Sequence, residues 1–122
     1  MTGPEVRQAL ATVVAGVVPD SWTVYPGPPE VTSLPAVVVV PRSPYRRAGT
    51  FCADIYSLAV TLLVGRATGV AGVDELDVLA VTVTDELIAQ TGLVYESTDL
   101  GPMIAPGGVE AYGAALNVEY YV

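Results

Sequence analysis

The spacing of apolar side chains divides the chain into two helical stretches and five extended ones. Behind Pro4-Glu5, the residues Val6, Ala9, Leu10, Val13, Val14 and Val17 recur with a helical period. Proline in a first turn with an acid beside it suits a helix start. This helix is expected to stop near Pro19-Asp20, because proline cannot continue it and pushes the preceding residue out of the helical region. Trp22-Thr23-Val24-Tyr25 is a short β-prone run closed by Pro26-Gly27-Pro28-Pro29. A second strand follows in Leu34-Pro35-Ala36-Val37-Val38-Val39-Val40, with Pro35 at its beginning or on an edge. Pro41 to Thr50 is expected to be a loop.

From Phe51 to Val64 the pattern predicts one long strand ending at Gly65. Asp54, Tyr56, Leu58, Val60, Leu62 and Val64 share one face, and Ala53, Ile55, Ser57, Ala59, Thr61 and Leu63 share the other. Both faces are largely apolar, so each should be covered, unlike a sheet with one side in water. A glycine-rich turn, Gly65 to Gly72, leads to a helix over Val73 to Gln90. Its stripe is Leu76, Leu79, Ala80, Val83, Leu87 and Ile88, and Asp77, Thr84 and Asp85 form the solvated side. Asp74 and Glu75 are expected in its first turn, and Gly92 as its C-cap. Leu93 to Leu100 reads as a strand, Gly101-Pro102 and Pro106-Gly107-Gly108 as loop, and Glu110 to Val122 as the closing strand. There Tyr112, Ala114, Leu116, Val118 and Tyr120 alternate with Gly113, Ala115, Asn117, Glu119 and Tyr121. The expectation is one α+β domain over residues 1–122, a mixed or antiparallel sheet packed by two helices in the order α-β-β-β-α-β-β.

Composition narrows what such a domain does. Thirteen acids against five arginines and no lysine give a formal charge of −8, which repels a phosphate backbone instead of releasing its counterions. Nucleic acid is therefore not an adhesive ligand. The single cysteine, Cys52, cannot form an intramolecular disulfide. No basic leader precedes an apolar core, and no apolar run approaches a membrane span. The expectation is a soluble protein made in the cytoplasm.

Histidine and lysine are absent, which removes Ser-His-Asp and Cys-His triads and lysine-based amine catalysis. Asp74, Glu75 and Asp77 could in principle offer oxygen ligands to a hard cation, but their spacing lacks the alternation of an EF-hand loop. Gly65 to Gly72 occupies the place of a phosphate loop yet lacks the Gly-Lys-Ser/Thr ending. Neither an enzyme nor a cofactor or metal is expected. Cys52 reads as a small buried hydrophobe, and Trp22 as a core anchor. The remaining asymmetry is the cluster Arg42, Tyr45, Arg46 and Arg47 in the segment 41–47. It reads either as a solubilising loop or as a docking loop for an acidic surface. Arginine in place of lysine, and a tyrosine among the arginines, favour docking, since both are enriched at interface hot spots.

Taken together, the leading helix, the Trp22-Thr23-Val24-Tyr25 strand and the Leu34-Pro35-Ala36-Val37-Val38-Val39 segment resemble the tail-terminator (tail-completion) proteins of long-tailed bacteriophages. The likeness continues through the arginine-bearing segment, the strand Phe51 to Val64, the helix Val73 to Gln90 and the closing β segment to Tyr121. It implies a virion structural subunit, made in the host cytoplasm, that closes into a hexameric ring on the tail tube. The ring would stop tube polymerisation, join the tail to the head connector and let DNA pass through an acidic lumen without sequence-specific binding. Two other readings stay open: a head-closure or neck adaptor, and a small acidic binding module with a pocket near Trp22 and the tyrosines.

Overall fold

The computed structural model describes residues 2–49, 54–65 and 70–122. Its elements are α1 (Gly3–Ala15), β1 (Thr23–Tyr25), β2 (Ala36–Ala48), β3 (Asp54–Gly65), α2 (Val70–Ile88), β4 (Leu93–Ala105) and β5 (Val109–Tyr121). The fold is α+β in the expected order. One five-stranded sheet runs β1-β2-β3-β5-β4, with β1 parallel to β2 and every other pair antiparallel.

Both helices lie on one face of this sheet. Val6, Leu10 and Val14 of α1 and Leu76, Ala80, Val83 and Leu87 of α2 join Val37, Val39, Tyr56, Leu58, Val60, Leu62, Leu116 and Val118 in a single core. The strand periodicity explains this membership, because alternate residues of β3 and β5 point the same way. Burying such side chains is worth about 1.5–3 kcal/mol each. α1 packs over β1 and β2, while α2 packs over β3, β4 and β5.

The other face of β3 is also buried, from Ile55 through Ser57, Ala59 and Thr61 to Leu63. At the Leu63 end a second cluster, Val38, Leu63, Ala105 and Ala111, is flanked by Leu34, Val40 and Met103. The segment before β2 is tied to the β4–β5 turn there, since Thr32 donates through both its N–H and its hydroxyl to the Pro106 carbonyl at 3.1 and 2.9 Å. The chain thus covers both faces of β3 by itself.

Several boundaries differ from the sequence expectation. α1 ends at Ala15, three residues before Val18. Gly16 follows, a poor helix former, and the Gly16 and Val18 N–H groups close a tightened turn on the Val13 and Val14 carbonyls at 3.3 and 3.1 Å. The expected loop from Pro41 is instead the outer half of β2, which continues to Ala48 against β3. A register shift between Pro41 and Arg46 absorbs the irregularity. Proline is tolerated there because β1 pairs only with Ala36, Val37 and Val38, so the rest of β2 is an edge.

β4 likewise runs through Gly101-Pro102, with Pro102 opposite Tyr112 on the other edge of the sheet. Only the 106–108 turn interrupts the final hairpin. α2 starts at Val70 instead of Val73, so Asp74 and Glu75 fall beyond its first turn, and its end at Ile88 leaves that residue 51% exposed. Gly92 does not cap the helix directly. It adopts φ +83° in the turn into β4, where its carbonyl accepts from Tyr121 N–H at 2.8 Å. Phe51, Cys52, Ala53 and the 66–69 part of the glycine-rich segment lie outside the described residues.

Candidate functional site

The arginine cluster is built on the outer half of β2, and the register shift between Pro41 and Arg46 splits it between the two faces of the sheet. Arg42 and Arg47 stand on the face away from the helices. Arg42 Nη1 donates to Glu96 Oε2 at 2.9 Å, reaching across from β2 to β4. Arg47 donates to Glu119 and, at 3.3 Å, to the Ser57 hydroxyl. Both carboxylates come from the β4–β5 hairpin, which places acids opposite the arginines.

Glu96 sits between these groups. Its carboxyl is held below the usual carboxylate range, first by its hydrogen bond with Glu119 and next by Arg42. A depressed carboxylate contributes stability above the ordinary carboxylate range, and that contribution is lost as pH falls through the depressed value. The Arg42–Glu96 pair is about one third exposed on each side, so its worth is at most about 1 kcal/mol. Arg42→Ala is therefore expected to lower the urea midpoint slightly at neutral pH. In acid below the depressed value of Glu96 the variant and parent should coincide, and a difference that persists there would contradict the pairing.

Tyr45 and Arg46 stand on the helix side. Tyr45 meets Tyr56 edge-on, with centroids 5.4 Å apart and planes at 70°. Its hydroxyl accepts from Arg7 Nη1 at 2.8 Å, and the Arg7 guanidinium also lies 5.8 Å from its ring centroid. Arg46 is exposed, and its guanidinium is held more firmly protonated than usual by a hydrogen bond with Tyr56 and by the charge of Asp54. The cluster is thus a braced part of the sheet and not a free loop. Arg47→Glu would set a carboxylate against Glu119, so changing Arg46 and Arg47 together is not neutral to folding as a loop substitution would be. Arg46 alone is the cleaner probe.

Other sequence candidates fall elsewhere. Asp74, Glu75 and Asp77 are exposed on α2, and no cluster of three or more acid or thiol side chains that could hold a metal ion forms among the described residues. Trp22 is half-buried against the main core and lines a cleft of about 320 Å³ with Pro19, Val64, Glu75, Leu76 and Leu79. No tyrosine lines it. Among the described residues no helix is long and apolar enough to cross a membrane.

The sequence reading missed Glu96, Glu119, Ser57 and Arg7 as members of the site. Glu119 had a signal, as the one charged residue on the strand face it shares with Gly113, Ala115, Asn117 and Tyr121. Its partner was set by strand register across 72 residues. The side of α2 with Asp77, Thr84 and Asp85 also exposes Val78 and Val81, at 67% and 56%, and Ile88, expected on the apolar stripe, stands exposed beside them. The chain matches no protein-family model and no curated protein, so the functional reading rests on its residues and their geometry.

Proposed function

We propose that the chain is a virion structural protein of the tail-terminator type, whose copies form a hexameric ring on the tail tube, stop its polymerisation and join the tail to the head. The observation that carries the reading is the flank formed by α2 and β4, where Val81, Ile88, Leu100 and Ile104 stand exposed at 45–67%. A subunit that presents such side chains gains by burying them against a neighbour. The α-β-β-β-α-β-β order is the one the resemblance rests on, and the −8 charge suits a lumen that DNA crosses without sticking.

The two-sided burial of β3 lends no weight to a ring, because the chain itself provides that burial. Direct joining of sheet edges is also disfavoured. β2 carries Pro41, Pro44 and a register shift on its outer edge, and β4 carries Pro102 and a second shift between Tyr95 and Ser97. Such features block strand addition. Contact then runs through side chains, and the exposed apolar ones of the α2–β4 flank are the reading's candidates.

The test is addition of the purified chain to polymerising tail-tube protein from the same source. Tubes should stop growing and bind several copies of the chain. Binding to portal-side proteins without any effect on tubes would favour a neck adaptor. The cleft beside Trp22 supports the binding-module reading, which a saturable change in Trp22 fluorescence with a small molecule would favour.

A further inference from the structure

The two flanks of the helix layer carry opposite chemistry. α2 holds five acids and no basic residue over its 19 residues. At helical spacing Asp74, Asp77, Val81, Asp85 and Ile88 fall on one side of it. That side borders β4, where Asp77, Val81, Asp85, Tyr95 and Thr98 line an open cleft of about 300 Å³. The opposite flank, where α1 meets the outer half of β2, carries Arg7 bonded to Tyr45 and, on the Tyr56 that Tyr45 packs against, the exposed Arg46 with Asp54 beside it, two arginines to one facing acid.

From this we infer that the apolar and acidic face of α2 is covered by a second copy of the same chain, which inserts its Arg46 flank into the α2–β4 cleft. The inference deepens the ring reading and rests on it. Charge selects this occupant. Two α2 faces brought together symmetrically oppose Asp with Asp, and two Arg46 flanks oppose arginine with arginine. Only a head-to-tail contact brings unlike charges together, and such a contact closes a ring when its rotation divides a full turn, whereas any other rotation gives an open filament.

The cleft also fits a guanidinium. Asp77 and Asp85 stand two turns apart on α2, about 12 Å along its axis, so each offers a separate carboxylate that can accept paired N–H bonds from one guanidinium, and the partly exposed Tyr95 ring offers a face to the cation. Arg46 is exposed and has five N–H donors, so its bond to Tyr56 and the nearby Asp54 leave others for one of these carboxylates. Val81 and Ile88 beside the cleft lose their exposure in the same contact.

The experiment is native mass spectrometry and analytical ultracentrifugation of the full chain at high micromolar concentration and low salt. The parent is compared with Asp77→Arg/Asp85→Arg and with Arg46→Asp, and melting curves confirm that each variant folds. The parent should assemble, and each variant alone should associate at least roughly tenfold more weakly, since each then opposes like charges. An equimolar mixture of the two variants should recover assembly with equal copies of each, because every junction in an alternating ring again joins unlike charges. Assembly of the single variants at parental strength would overturn the contact while leaving the ring reading intact. A parent that stays monomeric on its own overturns it too, and tube capping then judges the ring reading separately.

Discussion

Replacing Tyr56 with alanine is expected to lower the free energy of unfolding by about 3–5 kcal/mol, the range for removing a buried aromatic ring. Tyr56 is 1% exposed and heads the fully buried side chains by volume. Its ring supports Tyr45 edge-on at 5.4 Å and its hydroxyl engages Arg46. Its loss opens a cavity in the main core and unseats the inner side of the arginine cluster together. Tyr56→Phe keeps the ring and removes only the hydroxyl, for about 1 kcal/mol. Tyr45→Ala, at a half-buried position, should cost about 1–2 kcal/mol through the lost edge contact and the lost bond from Arg7. Urea unfolding of the three variants checks the order. A loss under about 1 kcal/mol for Tyr56→Ala would mean that the site collapses around the gap.

The second large effect concerns the turn that closes the other face of the sheet. Gly107 and Gly108 both have positive φ, +89° and +78°, so alanine at either costs about 1–2 kcal/mol of backbone strain. Their surroundings differ. A Cβ on Gly108 meets nothing within 4 Å, whereas one on Gly107 would lie 2.5 Å from the Glu30 carbonyl oxygen and 2.7 Å from Val31 Cα. Backbone on both sides must move, and with it go the two Thr32 bonds to Pro106, worth about 1 kcal/mol each. Gly107→Ala should therefore cost about 3–4 kcal/mol. Equal melting temperatures for the Gly107→Ala and Gly108→Ala proteins would show that the 30–32 segment is not seated on the turn.

How far the sequence announced this molecule depends on how local each signal is. Tyr56, Leu58, Val60 and Leu62, like Ala114, Leu116 and Val118, alternate without interruption, and their common burial follows from the period of a strand alone. The outer half of β2 and the second half of β4 were hidden by Pro41, Pro44, Gly101 and Pro102, which read as breakers. Proline loses that meaning on an edge, and which strand is an edge is decided by sheet order, a long-range property. The start of α2 was set late because Gly72 and the preceding glycine-rich stretch argued for a turn. The residues of the arginine cluster were legible as a group. Their division between two faces was not, because the register shift after Pro41 resets the alternation. Nor were their acid partners, since Glu96 lies 54 residues from Arg42 and Glu119 lies 72 from Arg47.

That division changes what the cluster can offer. Arg42 and Arg47 are paired with Glu96 and Glu119, which leaves the Arg7–Tyr45–Arg46 side, with Asp54 as the one acid acting on Arg46, as the least acidic flank of an acidic molecule. A surface of that kind distinguishes one neighbour from another more by charge than by area.

The proposed role at the end of a growing tail tube is decided by the length distribution of tubes seen by electron microscopy. Tail-tube protein polymerised with increasing amounts of the chain should give progressively shorter tubes, each carrying a ring of the chain at one end only. Tubes of unchanged length with bare ends, at a concentration where the chain is in excess over tube ends, would contradict it.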